Sequence, residues 1–389
     1  MNARSVNVSV DIPGTATRKR QLKPPFLIDF PLLAVTVALV GLSLIMVYST
    51  TAIMSQEKYG DGFFFVRKQA FAACIGLILV WVCSRLPIKL IQRVSPYLYL
   101  ICLVLLALPL IPGLGDSAGG AKRWVYLGSL RFQPVELIKL CFTVFIAGYF
   151  SRHEKSVDTF FNGLAKPMLL AAMIGALLLA QPDFGSASVI ALVTLAMATA
   201  SGARLAYLGI CGLGLASCMG LMIYISPYRM SRVVGFLSPF SDASGKGYQL
   251  IQSLIAVGSG QLTGVGLGGG QQKLFYLPAA HTDFIFAVIG EELGLLGCLF
   301  VVTLFLLFFW RGIRLARRFT EDTFSFSLAI GLTCLIVVPA FLNMGVVLGL
   351  LPTKGLVLPL VGYGGSSLIA SLAAVGLLLS LARSSYKRA

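Results

Sequence analysis

An all-α, polytopic membrane protein with about ten transmembrane helices is the fold class this sequence predicts. Of its 389 residues, 57% are hydrophobic and only 12% are charged, and the mean hydropathy is +0.87. Soluble domains carry roughly 25% charged residues. Half that fraction, gathered around long apolar runs, makes lipid the solvent for most of this surface. The 31 Lys and Arg exceed the 15 Asp and Glu, but they sit between the apolar runs. They do not form one basic, aromatic-laced face, so the charge excess does not point to nucleic acid.

A bilayer core takes about 20 apolar residues per helix. Runs of that order cover residues 31–50, 68–84, 95–112, 134–150, 167–181, 186–200, 205–225, 283–310, 325–351 and 356–382. The fifth and sixth are short and require tilt or borrowed flanks. A polar tail, 1–28, precedes the first run and carries Arg18, Lys19, Arg20 and Lys23. The run itself is long enough to span and no small-residue cleavage site follows it, so it does not read as a signal peptide. The transmembrane domain is expected at 29–383, with a C-terminal tail at 384–389. With the N-terminus inside, 19 Lys and Arg fall in inner segments and 11 in outer ones, and Lys139 lies in a span. Both ends are therefore expected in the cytoplasm.

The one long loop, about 226–282, then faces out. Loops of that length are usually functional or disordered. Its content of Tyr228, Phe236, Phe240, Tyr248, Leu254, Ile255, Phe275 and Tyr276 argues for short helices docked on the membrane face. The glycine-rich GVGLGGGQQK at 264–273 is not a phosphate-binding P-loop, since Leu274 follows Lys273 and no strand precedes it. The eight cysteines lie in or beside apolar runs without metal-type spacing, and read as small packing residues.

Charged residues inside spans are costly and mark candidate sites. Glu136 and Lys139 stand three apart, just after Gln133-Pro134. They could form an intrahelical ion pair, or Lys139 could face a cavity and hold an acid from another span. Asp283, in His281-Thr282-Asp283-Phe284, is the best such acid. Thr282 or Asp283 could equally cap the eighth helix, or Asp283 could act as a general base at the membrane surface. Asp183 sits in the tight turn Gln181-Pro182-Asp183-Phe184-Gly185. Glu291 and Glu292 are adjacent, face about 100° apart, and are expected to make structural hydrogen bonds. The outer segments carry Lys122, Arg123, Arg131, Arg229, Arg232, Lys246, Lys273 and Lys354 against Asp116 and Asp242. A phosphate-bearing lipid substrate or lipid headgroups would account for that excess. No HExxH, GxSxG or kinase signature occurs. With only two histidines, a His-rich metal site is excluded.

The segments AKRWVYLGSLRFQPVELIKL (121–140), QPDFGSA (181–187), GYQLIQSLIAVGSGQLTGVGLG (247–268), LPAAHTDFIFAVIGEELG (277–294) and LPTKGLVLPLVGYGGSSLI (351–369) resemble the SEDS family. These are the shape, elongation, division and sporulation polymerases of bacterial peptidoglycan. The likeness runs over all ten runs in family order, and is nearer the division branch than the elongation branch. It implies a glycosyltransferase polymerising lipid II outside the cytoplasmic membrane during septal cell-wall synthesis. The essential acid of the family's HTDF-type motif falls on Asp283, and the lysine of its QPxELxKL motif on Lys139. Gln133, Pro134 and Glu136 of that motif are intact, and Val135 stands where many relatives have Ser or Ala. The resemblance makes Asp283, Lys139 and Glu136 the expected catalytic set. Lys122, Arg123, Gln133, Arg229, Lys273, His281 and Lys354 form the expected substrate-binding set.

By the same resemblance the partners are lipid II, a class B penicillin-binding protein of the FtsI type, and division proteins such as FtsQ, FtsL, FtsB and FtsN. The expected location is the bacterial inner membrane, enriched at the septum. No cofactor is called for, although a divalent cation, Mg or Mn, could be held by carboxylate and phosphate. Two alternative functions suit the same spans: a lipid II flippase, and a scaffold that recruits the penicillin-binding protein.

Overall fold

The computed structural model describes residues 29–388 apart from 111–114, 119–120, 128–129, 243–244, 246 and 275. The polar N-terminal tail lies outside the described residues. Helices α1 (Phe30–Tyr59), α2 (Phe64–Arg85), α3 (Ile88–Ala107), α4 (Pro134–Arg152), α5 (Lys166–Ala180), α6 (Phe184–Ala200) and α7 (Leu205–Ile225) come first. Two short helices follow, α8 (Pro227–Leu237) and α9 (Tyr248–Ser259), then α10 (Ile285–Ala316), α11 (Thr323–Val347) and α12 (Gly365–Arg388). Among the described residues, eight helices are long and apolar enough to cross a bilayer, and Phe184–Ala200 is a shorter apolar helix. α8 and α9 are the short helices expected inside the large loop.

Local chemistry sets the helix ends. Asp29, Asp183 and Asp322 each accept a backbone N–H in the first turn of α1, α6 and α11, at 3.2, 3.1 and 3.2 Å, satisfying donors the helix cannot. α1 runs nine residues past its expected end. Thr50 and Thr51 return their hydroxyls to carbonyls one turn back, so they remain compatible with an apolar surround. Gly60, at φ 68°, stops the helix.

Two sequence expectations change. Residues 348–351 ended the ninth apolar run and 356–364 began the tenth, yet none of 348–364 is helical. Pro352 and Pro359 lack the N–H a helix needs, and Leu360 takes a left-handed φ of 64°. Between α3 and α4 stand three antiparallel strands in the order β1 (Gly115–Ala118), β2 (Ala121–Leu127), β3 (Leu130–Phe132). Ala118 pairs with Ala121 and Leu127 with Leu130. In the sequence Gly119-Gly120 and Gly128-Ser129 stand between these pairs, dipeptides of the kind that favour hairpins.

α4, α11 and α12 form the centre: 78%, 72% and 78% of their most apolar stretches are buried, against 28% and 22% for α2 and α3 at the rim. Lipid offers little hydrophobic drive for helix association, so close packing must supply it. Gly148 of α4 leaves no room for a side chain, because a Cβ there would lie 2.1 Å from the Ser95 hydroxyl of α3.

α10 is broken at Gly294, with φ 67° and ψ −163°. The loop after α9 is sewn into the break. Val265 and Gly266 donate to the Glu291 and Glu292 carbonyls at 3.0 and 3.1 Å, and Leu295 and Leu296 donate to Gln261 and Leu262 at 2.9 and 3.1 Å. A Cβ on Gly294 would lie 2.4 Å from the Gly264 nitrogen. The conformation is one only glycine adopts at low cost, about 1–3 kcal/mol for other residues, and the clash adds to it. Gly294→Ala is therefore expected to lower the thermal midpoint of the purified protein sharply. Gly41→Ala, which meets nothing within 4 Å, should change it little.

Candidate active site

The helices alternate in direction, so one end of the bundle gathers the β-strands, the Gln181–Asp183 turn, the 226–284 region and the 348–364 segment. A cavity opens there. Its empty volume, mouth included, is about 630 Å³. Gln133, Glu136 and Lys139 line it from the start of α4, Asp183 and Ser186 from the start of α6, Leu335 and Pro339 from α11, and Ser367 and Ser371 from α12. Gly355, Leu356, Val357 and Pro359 close one wall. Pro339 stands inside α11 and has no N–H to return to the Leu335 carbonyl.

The polar lining follows from where each helix begins. Pro134 is a natural first-turn residue, so α4 starts there and carries Glu136 in its first turn, where a negative charge favours the helix dipole. One turn on, Lys139 Nζ donates to Glu136 Oε1 at 2.8 Å, with both side chains nearly buried. The ion pair is thus within α4. The expectation that Lys139 holds Asp283 from another span is corrected. The two charges neutralise each other on one helix and need no partner across the bundle. Asp183 accepts from Ser186 N and contributes a second carboxylate to the same cavity.

Asp283 lies in a turn ahead of α10, not in the helix as the apolar run suggested. Ala279, at φ 56°, turns the chain so that Thr282, Asp283 and Phe284 all donate to its carbonyl, at 3.1, 3.1 and 3.3 Å. Neither Thr282 nor Asp283 caps α10, because Phe284 holds that position without a side-chain cap bond. Asp283 is half-buried. It is not among the lining residues, but its carboxylate lies against the lining residue Gly355. A Cβ on Gly355 would be 3.2 Å from Asp283 Oδ2, so only a missing side chain separates the carboxylate from the lining.

The expected substrate-binding residues divide into distinct groups. Gln133 lines the cavity, and its N–H donates to Ser366 Oγ at 3.1 Å. Lys354 is adjacent to the lining residue Gly355. Its ammonium lies 4.7 Å from the Phe184 ring centroid and 3.5 Å from Ser188 Oγ, and burial lowers its proton affinity. His281 packs against Phe65 and Tyr363, with ring centroids 5.8 and 5.7 Å away. Lys273 is a correction: it is buried in an ion pair with Glu292 at 2.7 Å, and both bond Ser49 of α1. Glu291 accepts from the backbone of Gln271 at 2.7 Å, so both glutamates have the structural role expected of them. Lys122 and Arg123 lie on β2 and Arg229 on α8, with side chains outside the described residues. Sequence reasoning passed over Ser186, Ser367, Ser371 and Asn343. The serines carry no sequence signal, but Asn343 is a lone amide in an apolar run and could have been flagged.

Burial holds the His281 imidazole below its ordinary pKa of 6.5, so it is neutral at pH 7. The unfolded chain takes up this proton more readily. Stability from this source is intact above about pH 6.5 and declines as pH falls from there toward the depressed native value. Thermal midpoints measured from pH 7.5 to 5 should show this acid-side loss, and His281→Gln should blunt it.

A bundle of apolar helices with a charged cavity at one end defines a membrane-embedded site for an amphipathic substrate. The chain belongs to the Cell cycle protein family of FtsW, RodA and SpoVE, whose model matches residues 30–387. It is 42% identical to the probable peptidoglycan glycosyltransferase FtsW of Thioalkalivibrio sulfidiphilus over 379 residues, covering 96% of this chain and 95% of that one. It is 41% identical to the protein of the same name from Coxiella burnetii, covering 89% and 94%. A chain solved within a peptidoglycan synthase complex that coordinates polymerization and crosslinking superposes with a TM-score of 0.75 at 30% identity, covering 92% and 99%. The rod shape determining protein RodA of Thermus thermophilus gives 0.66 at 27% identity, covering 92% and 98%.

Proposed function

We propose that this chain is a peptidoglycan glycosyltransferase that polymerises lipid II into glycan strands at the division septum, with both termini in the cytoplasm and the cavity end outside. The single observation that carries this reading is the cavity of Gln133, Glu136, Lys139 and Asp183, with Asp283 one glycine behind its wall. Asp283 removes the proton from the acceptor sugar hydroxyl. The resulting oxygen attacks the donor anomeric carbon with inversion, and undecaprenyl pyrophosphate leaves. This corresponds to the base half of an inverting glycosidase, with a lipid diphosphate as the leaving group in place of a protonated oxygen. Lys139, paired with Glu136 on α4, presents its charge to the cavity from the same helix turn. Lys354 and the cations of β2 and α8 meet the diphosphate.

Among the described residues there is no group of three His, Cys, Asp or Glu able to hold a metal. A Mg or Mn ion at this site would take part of its shell from the diphosphate itself. The complex that coordinates polymerization and crosslinking supports pairing with a class B penicillin-binding protein. FtsQ, FtsL, FtsB and FtsN are the further division partners this reading calls for.

The test is purified protein with labelled lipid II, alone and with the penicillin-binding partner. Glycan chains should form. Movement of lipid II across vesicles without polymer would replace this reading with a transporter. Polymer-free partner binding would replace it with a scaffold.

A further inference from the structure

One buried side chain ties the Asp283 turn to the cavity wall. We propose that Asn343 is the positioning residue for the base, a role that rests on the reading of Asp283 above. Asn343 lies in the last turns of α11 and is 1% exposed. Its amide nitrogen donates to the Asp283 carbonyl at 2.7 Å and to the Leu356 carbonyl at 2.5 Å. Both partners can only accept, so the NH2 group must face them and the amide has one sensible orientation.

The two carbonyls belong to different segments. One is the turn that carries the base. The other is the non-helical stretch that walls the cavity and contains Gly355, whose position lies 3.2 Å from Asp283 Oδ2 when a Cβ is placed on it. This amide therefore bridges the two segments at the base itself, beside the backbone bond from Tyr363 N to the His281 carbonyl at 2.9 Å. A second buried bond joins α9 to the end of α11 without touching the Asp283 turn or Leu356: Ser253 donates to the Val347 carbonyl at 2.8 Å. The Oδ1 atom of Asn343 is buried with no hydrogen-bond partner among the described residues. An apolar residue would avoid that cost, so what the amide contributes here is the two bonds it donates.

Rate is sensitive to the spacing between carboxylate and wall. A misplacement of about 1 Å can cost about 100-fold without any change in the reacting groups. Substrate binding depends on the other cavity residues and should be spared. The experiment compares the full-length wild type with Asn343→Leu, Asn343→Ser, Asn343→Asp, Asp283→Asn and Ser253→Ala, using lipid II as substrate. Asn343→Leu is near-isosteric without donors, the serine is too short to reach both carbonyls, and the aspartate presents an acceptor to two acceptors. Ser253→Ala removes a comparable buried bond to a carbonyl away from the site.

The expected result is a fall in kcat of about 10- to 100-fold in the three Asn343 variants, with KM within about twofold. Ser253→Ala should keep wild-type kcat. Amide exchange in 280–284 and 355–358 should quicken in the Asn343 variants only. Wild-type kcat in any folded Asn343 variant overturns the proposal, as does an equal loss in Ser253→Ala. An active Asp283→Asn overturns the base reading itself. An inactive Asp283→Asn beside a fully active Asn343→Leu removes only the positioning role.

Discussion

Replacing Asp283 by Asn is expected to lower glycan polymerisation about 10²- to 10⁴-fold, the usual contribution of a positioned general base. The amide matches the carboxylate in size and keeps the backbone contacts of the turn, including the bond from Asp283 N to the Ala279 carbonyl at 3.1 Å and the carbonyl contact with Asn343. The side chain is half-buried, and losing its charge leaves no cavity. Thermal stability should therefore stay within about 1 kcal/mol of wild type. The measurement pairs product-length analysis on labelled lipid II with a thermal midpoint on the same preparation. A folded Asn variant that polymerises at the normal rate would show that another group takes the proton. Asp283→Glu, one methylene longer, pushes the carboxylate toward Gly355 and should recover only part of the activity.

The second large effect concerns stability. Lys273→Met is expected to destabilise the protein by about 3–5 kcal/mol, the range for removing one partner of a buried ion pair. Glu292 is 0% exposed and would keep the Ser49 hydroxyl at 2.6 Å as its remaining side-chain contact. A carboxylate so placed is left largely uncompensated. The double variant Lys273→Met, Glu292→Leu should recover much of the loss, since replacing both charges by apolar groups is often neutral or better. Thermal denaturation in detergent checks both. If the single variant is as stable as the double, water reaches the site and the pair is not structural.

Much of the architecture was readable because apolar run length reports directly on bilayer crossing. Phe184–Ala200 and Leu205–Ile225 fall where the short sixth and the seventh runs were placed. What hydropathy could not separate is an apolar helix from an apolar extended segment. LVLPL at 356–360 reads as the start of the tenth apolar run, yet with Pro359 and the left-handed Leu360 it forms a cavity wall. The strands between 115 and 132 were missed although Gly119-Gly120 and Gly128-Ser129 were in view, since only alternation and turn chemistry distinguish strands from an extramembrane tail of α3.

At the site, Glu136, Lys139 and Asp183 could be singled out because charge near an apolar run is rare, and Gln133 because it opens the QPxELxKL motif. Lys273 was misassigned for a different reason. Its partners lie 19 and 224 residues away, a pairing that no local spacing announces. Asp283 was placed on a helix because nothing in HTDF reveals that Ala279 bends the chain before it.

The break at Gly294 limits how the large loop can open. Residues 260–273 share backbone bonds with both halves of α10 and carry the lysine that neutralises Glu292. They cannot lift away without disrupting four backbone bonds and a buried ion pair together. Both halves of α10 and that stretch of chain are thus bound into one unit across the interruption. Any gap wide enough for a bulky polyprenyl lipid has to form between this unit and its neighbours, not within it.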